Sequence, residues 1–173
     1  RAAPLYNGRM KGHLAGPRLI GAMAVLALAL GATASTNTEV NAQATTTPRV
    51  ATPAPPATIG ELGALVEQAR TRFVARDSAG VLAYVADNYR SAGITKSGLR
   101  DQLLALYTLY DQVQARVRVD QVQIVDGDAW VYTTGEVNGR LPVVGWVTVL
   151  SWQQEPEVAR RLAAGWRLIG FQD

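Results

Sequence analysis

The sequence has no cysteine and only one histidine, His13, among its 173 residues. The absence of cysteine excludes disulfide bonds, thiolate metal ligands and a thiol nucleophile. Because His13 lies close to the N-terminus, the rest of the chain has no imidazole to act as a general base or metal ligand. Serine–histidine and cysteine–histidine catalysis and most zinc sites are therefore excluded. We expect neither a metal nor a cofactor.

Most of the chain also lacks an excess of positive charge. Residues 1–57 contain five basic residues and one acid, whereas residues 58–173 contain twelve basic and thirteen acidic residues. The high isoelectric point, about 9.5, therefore comes from the N-terminal segment. Since nucleic-acid binding depends on a basic surface that neutralises phosphates, we expect no nucleic-acid partner.

An apolar run at residues 19–32 is the clearest targeting feature. It follows Lys11, His13 and Arg18, and a positive segment followed by ~7–15 apolar residues is typical of an export signal. The run is shorter than the ~20 apolar residues that a membrane span needs. We predict that the protein is exported to the periplasm or secreted. The alternative is an uncleaved signal that anchors the protein, so that the membrane is contacted only through this segment.

Small-x-small sequences that end at Ala34 and Ala44 are candidate processing sites for this signal. A lipoprotein anchor is excluded because it requires a cysteine. Met10 opens a well-proportioned signal, so we interpret it as the true start of the chain. Residues 1–34 are therefore assigned to the signal or anchor.

Residues 35–57 are rich in threonine, alanine and proline and contain almost no large apolar side chains. Four prolines at positions 48, 53, 55 and 56 disfavour a helix. Such a composition cannot bury enough apolar surface to offset its ordering entropy, which predicts a disordered linker. Residues 58–173 then form the folded domain.

Helical patterning fills the first half of this domain. Thr58 and Glu61 form a capping box, which predicts a helix that begins at Thr58 and runs to about residue 74. Asp77 is placed to cap a short second helix, and Thr95 or Ser97 a third that ends near Asp111. These three helices precede the strands.

The second half alternates with a period of two, which is typical of strands. A change of phase at Asp120 predicts a β-bulge. Asp126-Gly127 and Asn138-Gly139 are two-residue hairpin signals. They predict strands up to residue 125 and over 129–137, 143–152 and 165–171, with a short helix over 155–164.

Helices followed by strands that tight turns connect indicate an α+β fold. We predict three N-terminal helices packed on a curved antiparallel sheet of about four strands. Residues 58–173 suffice for a single hydrophobic core but not for two.

Several segments resemble the NTF2-like superfamily. The string RDSAGVLAYVADNY at residues 76–89 is similar to the second-helix signature of that superfamily, and residues 95–104 to the helix that follows. Residues 125–131 resemble its first long hairpin, and residues 165–169 its last strand. The resemblance implies a cone-shaped fold, also called cystatin-like, in which a curved sheet wraps around helices and encloses a pocket. Members include ketosteroid-isomerase-like and SnoaL-like enzymes as well as non-catalytic modules.

The catalytic groups of the ketosteroid-isomerase-like enzymes are not found at matching positions. Carrying the resemblance over residue by residue places Gly93 at the aspartate base, Ala69 at the tyrosine and Thr148 at the strand aspartate. None of these residues titrates, and the SnoaL-like histidine is also missing. The resemblance therefore favours a protein without catalysis, and no catalytic residue is assigned.

Two pairs of acidic residues are further candidates for a functional site. Asp126 and Asp128 are explained by a turn rather than by a cation, because calcium needs six or more oxygen ligands. Glu155 and Glu157 suggest an acid–base pair, but their polar surroundings indicate solvated surface. A buried titratable residue in the pocket, such as Asp87 or Asp101, would favour an enzyme.

Aromatic residues of the strands are candidates for the pocket. Strict alternation puts Trp146, Thr148, Leu150 and Trp152 on one face, which the resemblance turns toward the helices. Large aromatic side chains fit both a core and a ligand pocket. The predicted pocket lining is Tyr107, Trp130, Tyr132, Trp146, Thr148 and Trp152.

These features predict an exported, non-catalytic module. We expect it to bind a small apolar ligand or a partner protein, with a homodimer through the sheet as a further possibility. The alternative is a lyase or isomerase of the SnoaL-like type that acts on a small hydrophobic substrate.

Overall fold

A computed structural model describes residues 50–171. The predicted export signal, its processing sites, the suggested start at Met10 and most of the predicted linker lie outside the described residues. Within residues 50–171, no helix has the length and apolar character that crossing a bilayer would require.

Three helices lie within residues 50–171, and side chains cap two of them. Helix α1 spans Pro56–Val74, α2 spans Ser78–Leu82 and α3 spans Lys96–Leu109. The Gly80 amide donates to Asp77 Oδ1 at 2.8 Å, and the Gly98 amide donates to Thr95 Oγ1 at 3.3 Å. Both caps agree with prediction. The capping box at Thr58 is wrong, because Pro56, with its fixed φ, begins α1 two residues earlier.

Five strands form one antiparallel sheet in the order β1-β4-β5-β6-β7. The described strands are β1 (Thr52–Pro53), β2 (Arg90–Ser91), β3 (Ile94–Thr95), β4 (Gln112–Val125), β5 (Asp128–Leu141), β6 (Gly145–Leu162) and β7 (Gly165–Leu168). Strands β2 and β3 pair separately as a small hairpin. The α+β class is confirmed, with five strands instead of four in the main sheet.

The prediction of three N-terminal helices ahead of all strands is wrong. Strand β1 precedes α1, and the β2–β3 hairpin separates α2 from α3. Strand β1 hydrogen-bonds along the edge of β4, and Ala54 beside it is buried in the main core. The folded part thus begins before Thr58. The sequence of this segment shows no strand periodicity, but pairing with β4 satisfies its backbone hydrogen-bonding groups.

The turns differ from prediction at one of two hairpins. Asp126 and Gly127, with φ of +53° and +87°, connect β4 to β5 as predicted. Asn138 and Gly139 instead lie inside β5, where strands on both sides pair with them. The turn falls at residues 142–144. The short helix predicted over 155–164 is also wrong, since these residues continue β6 between β5 and β7.

Irregular pairing bends the sheet and changes which side chains face the helices. The predicted bulge is present between Val119 and Gln121. Strand β6 carries two further irregularities against β5. Val149 is an extra residue opposite the Val137–Asn138 step, and Gln153 and Gln154 both lie opposite Thr134. Each extra residue reverses the inward and outward alternation that follows it.

Helices α1 and α3 cover the inner face of the sheet and form the hydrophobic core with it. Leu62 and Leu65 of α1 and Leu99 of α3 pack with Val122 and Val131 of the sheet. A second cluster joins Val81, Leu103, Leu106, Tyr107 and Val113. The core therefore lies between the helices and the inner face.

Gly135 is required by packing at the bulges, and we expect Gly135→Ala to lower the free energy of unfolding by about 1–3 kcal/mol. A Cβ there would overlap the Arg116 carbonyl oxygen and would lie 2.5 Å from Trp152 Cζ2. Gly60, inside α1, has no neighbour within 4 Å of such a Cβ. Gly60→Ala is the matched control and should stabilise the protein by up to about 1 kcal/mol. Urea unfolding measures both; equal effects would contradict the close packing at Gly135.

Candidate functional site

A cavity of about 110 Å³ lies between the helices and the inner face of the sheet. Most of its wall is aliphatic or aromatic. The apolar lining consists of Leu62, Leu65, Val66, Ala69, Phe73, Val81, Leu99, Leu103, Ala115, Val117, Val131, Val137, Leu150, Trp152 and Leu168. Thr133, Glu157 and Arg70 complete it. The size is similar to that of engineered apolar cavities that take up one aromatic ring.

Glu157 places a carboxyl group in this apolar wall. It pairs with Val131 on the inner face, and only 4% of the residue is exposed. Its Oε1 atom is buried without a hydrogen-bond partner. Burial disfavours the charged form and raises the pKa of Glu157 to about 8. The carboxyl group is therefore mostly protonated at neutral pH and offers an O–H donor.

Two more buried hydroxyl groups belong to Tyr89, which lies near Glu157, and to Ser91, which lies near Tyr89. Tyr89 and Ser91 are both almost completely buried, and neither Tyr89 Oη nor Ser91 Oγ has a hydrogen-bond partner. Burial, followed by the nearby Glu157 carboxyl, raises the pKa of Tyr89. The Tyr89 hydroxyl lies near the Glu157 carboxyl and lowers the pKa of Glu157 against the larger effect of burial. Buried polar groups without partners are uncommon and call for an explanation.

Thr133 supplies a second polar atom to the cavity wall. Trp152 Nε1 donates to Thr133 Oγ1 at 3.0 Å, and both residues are buried. Since Thr133 Oγ1 accepts this bond, its own proton stays available for a further acceptor. The bond also fixes the plane of the Trp152 indole against the cavity.

Arg70 lies where the wall is partly open. Its neighbours in the lining, Phe73, Ala115 and Val117, are partly exposed. Arg70 Nη1 donates to the Ala115 carbonyl oxygen at 3.5 Å and so reaches from α1 to β4. The guanidinium group thus marks the mouth of the cavity.

The structure brings only part of the predicted pocket together. Trp152 lines the cavity, whereas Tyr107 packs beside it, with its hydroxyl donating to the Phe73 carbonyl at 3.0 Å. Trp130 and Tyr132 project from the opposite face of β5, where Trp130 meets Phe171 edge-on at 4.8 Å. Neither is in the cavity wall.

Trp146 and Thr148 are exposed on the outer face, so the shared face predicted for residues 146–152 is wrong. The extra residue Val149 reverses the alternation, so that Leu150 and Trp152 point inward while Trp146 stays 44% exposed. Thr148 Oγ1 bonds to Asn138 Oδ1 at 3.0 Å on that outer face. No sequence signal marks Val149 as a bulge residue.

The interpretation of Glu157 as solvated surface is wrong. The second irregularity, at Gln153 and Gln154, reverses the alternation again and turns Glu157 and Ala159 inward. The sequence would have predicted a buried Glu157 only if residues 155–164 had been assigned to a strand that follows a bulge. The glutamine pair gives a weak signal for that bulge.

The remaining candidates are not in the cavity. Asp128 accepts two hydrogen bonds from Arg160, both at 2.7 Å, and Asp126 lies in the turn. Asp87 pairs with Lys96 on the surface, and Asp101 is exposed. Among residues 50–171, no three carboxylate or imidazole side chains are grouped to hold a metal ion.

The positions matched to the isomerase catalytic groups are dispersed. Ala69 lines the cavity, but Gly93 lies in the β2–β3 turn with a φ of +79°, and Thr148 is on the outer face. The chemistry of this cavity therefore rests on Glu157, which that alignment does not reach.

No protein-family model matches the chain, and no curated protein is similar enough to count as a relative. Solved structures do resemble it. A conserved protein from Planctomyces limnophilus is 14% identical with a TM-score of 0.58, over 66% of this chain and 92% of the other. Aln2 from a Streptomyces species is 13% identical with a TM-score of 0.56, over 69% and 90%.

A third similar structure is that of a "Putative Scytalone Dehydratase" from Novosphingobium aromaticivorans. It is 6% identical with a TM-score of 0.54, over 66% of this chain and 80% of the other. Likeness at these identities shows the fold. The chain therefore shares the fold of these proteins, and this confirms the NTF2-like fold that the resemblance implied.

Proposed function

We propose that the protein binds a small, mainly apolar molecule in this cavity and recognises a hydrogen-bond acceptor on it through the protonated Glu157 carboxyl. The apolar wall supports the first half, since apolar cavities of this size take up apolar ligands. The buried Glu157 Oε1 atom, which has no hydrogen-bond partner, supports the second half.

Glu157 is the observation that carries the proposal. Burying a polar group without a partner costs about 1–3 kcal/mol, and a leucine or methionine at this position would avoid that cost. A ligand carbonyl or ether oxygen would accept the proton of the Glu157 carboxyl and offset the cost only in the bound state. The Thr133 hydroxyl, which lies on the same inner face, offers a second donor.

Acetophenone and ethylbenzene test the proposal, because they share a shape and differ in the carbonyl group. We expect Glu157→Leu to weaken acetophenone binding about 5–10-fold at pH 6.5, because one hydrogen bond is lost. Ethylbenzene should bind that variant at least as well as it binds the unchanged protein. Glu157→Gln, which keeps a donor, should retain most of the acetophenone affinity. Isothermal titration calorimetry measures each dissociation constant.

Glu155→Leu is the matched control, since Glu155 lies two residues away on β6 and outside the cavity wall. It should leave both affinities unchanged. Failure of the unchanged protein to bind either compound would contradict the cavity as a ligand site. Equal acetophenone affinity in Glu157→Leu would contradict recognition through the carboxyl.

A second candidate is a lyase or isomerase of the SnoaL-like type. The observation that favours it is again Glu157, because an acid with a pKa of about 8 both gives and takes a proton near neutral pH. The similar protein from Novosphingobium aromaticivorans is named as a dehydratase, which is the same broad class. Exchange of the acetophenone methyl protons in D₂O, followed by NMR, tests it. If the protein accelerates this exchange and Glu157→Gln abolishes the acceleration, the result favours an enzyme. An exchange rate equal to that in buffer would favour the binding function.

Export, a disordered linker before the domain, a protein partner and a homodimer through the sheet stay predictions. The sequence supports the first two through residues 1–49, which precede the described part of the chain.

A further inference from the structure

Arg70 holds an exposed carboxylate at the mouth of the cavity. Its Nε and Nη2 atoms donate to the two carboxylate oxygens of Glu67 at 2.8 and 2.6 Å. The Glu67 side chain is 60% exposed, whereas that of Arg70 is 30% exposed. The guanidinium group therefore holds, through two parallel hydrogen bonds, a carboxylate that is not part of the cavity wall.

Arg70 and Glu157 are the only ionisable side chains among the described residues that line the cavity. Arg70 contacts the Ala115 carbonyl oxygen of β4, whereas Glu157 pairs with Val131 of β5. Val131 in turn pairs with Val122, which lies seven residues beyond Ala115 along β4. The two groups thus lie toward opposite ends of the cavity, with apolar wall between them. A molecule that fits this arrangement has an apolar body and two polar ends.

We propose that the ligand is a small apolar carboxylic acid whose carboxylate binds Arg70 at the mouth while its body points toward Glu157. This inference rests on the proposed function, because it names the chemical class of the ligand at the same site. In the ligand-free state, Glu67 occupies the position of the ligand carboxylate.

Exchange of Glu67 for a ligand carboxylate costs little. An ion pair three residues apart on a helix contributes a small stabilisation when one partner, here Glu67, stays largely hydrated. A ligand carboxylate makes the same bidentate contact and also buries its apolar body. Arg70 is suited to this because its Ala115 contact keeps it across the mouth.

Charge inside the cavity does not oppose an anionic ligand. Burial keeps the Glu157 carboxyl protonated. Tyr89, which lies near it, and Thr133, which lines the same cavity, carry neutral hydroxyls. Arg72, two residues from Arg70 on α1, is instead paired with Asp77 outside the cavity wall. Arg72 therefore provides a matched control.

The test compares 3-phenylpropanoate with 3-phenylpropanamide, which differ in charge but little in shape. We expect the unchanged protein to bind the carboxylate about tenfold more tightly at pH 6.5. Arg70→Gln should remove this preference and leave the amide within twofold. Glu67→Gln should strengthen carboxylate binding two- to fivefold, because the competing carboxylate is gone. Arg72→Gln should change neither. Calorimetry gives the constants, and thermal melting shows that each variant is folded.

The outcomes separate the two proposals. Equal binding of both probes to the unchanged protein, or a preference that survives Arg70→Gln, would overturn the carboxylate assignment and leave the cavity as an apolar ligand site. Weaker carboxylate binding by Glu67→Gln would also overturn it. Loss of all binding, including that of acetophenone and ethylbenzene, would overturn the proposed function and this assignment together.

Discussion

Replacing Glu157 by glutamine should remove a pH dependence of stability that amounts to about 4–5 kcal/mol between pH 4.5 and pH 8. Burial raises the pKa of Glu157 from 4.5 to about 8 in the folded protein. The unfolded chain keeps the ordinary pKa. Above pH 4.5 the unfolded state therefore releases a proton that the folded state retains.

The sign of the effect follows from this difference. The unfolded state binds fewer protons than the folded state across the window, so the free energy of unfolding falls as the pH rises. The contribution of Glu157 is fully present below pH 4.5 and is lost as the pH passes through about 8. Asp87 and Asp120 have lowered pKa values because Lys96 and Thr134 bond to them, so their contributions change below pH 4 instead.

Urea unfolding at pH 5, 6, 7 and 8 measures the effect. The unchanged protein should lose stability steadily, whereas Glu157→Gln should give a flatter profile and exceed it at pH 8. Glu155→Gln is the control and should keep the slope of the unchanged protein. A slope that Glu157→Gln does not alter would mean that the carboxyl is hydrated, and it would remove the main support for the ligand site.

The second large effect concerns two tryptophans of the same strand. Trp152→Ala should lower the free energy of unfolding by about 3–5 kcal/mol, because a buried indole is lost and a void replaces it. Thr133 also loses the indole donor. Trp146→Ala should cost less than about 1 kcal/mol, since its side chain lies on the outer face and is 44% exposed.

Urea unfolding of both variants distinguishes the true register from strict alternation, which would make the two costs similar. A loss above 3 kcal/mol for Trp146→Ala would contradict the bulge at Val149. Trp152→Ala also enlarges the cavity, so binding of ethylbenzene should persist in the folded fraction. A cost for Trp152→Ala near that of Trp146→Ala would mean that the indole does not form the cavity wall.

Both experiments address one feature, an apolar cavity whose polar groups lie at its ends. Glu157 sets the protonation chemistry, Trp152 and Thr133 shape the wall, and Arg70 lies at the mouth. The fold alone does not specify a reaction, because NTF2-like cones carry many functions. The function must therefore be established from these four residues.

The sequence by itself determined the features that depend on neighbours within a few residues. Asp77 and Thr95 cap their helices, Asp126-Gly127 makes the first hairpin, and the change of phase at Asp120 marks a bulge. Each of these needs only hydrogen bonds or φ values available locally, so the local residues suffice to predict them. The order of such features also carried the resemblance to the NTF2-like fold.

Tertiary structure alone decided which residues form the site. Strand β6 has two places where extra residues face β5, and each one reverses the alternation, so Trp146 turned outward and Glu157 inward. Whether a strand absorbs an extra residue depends on how its partner strand and the covering helices pack, and these are distant in sequence. A carboxyl that reads as surface in the sequence was therefore buried on the inner face through its register against β5, which no local pattern specifies.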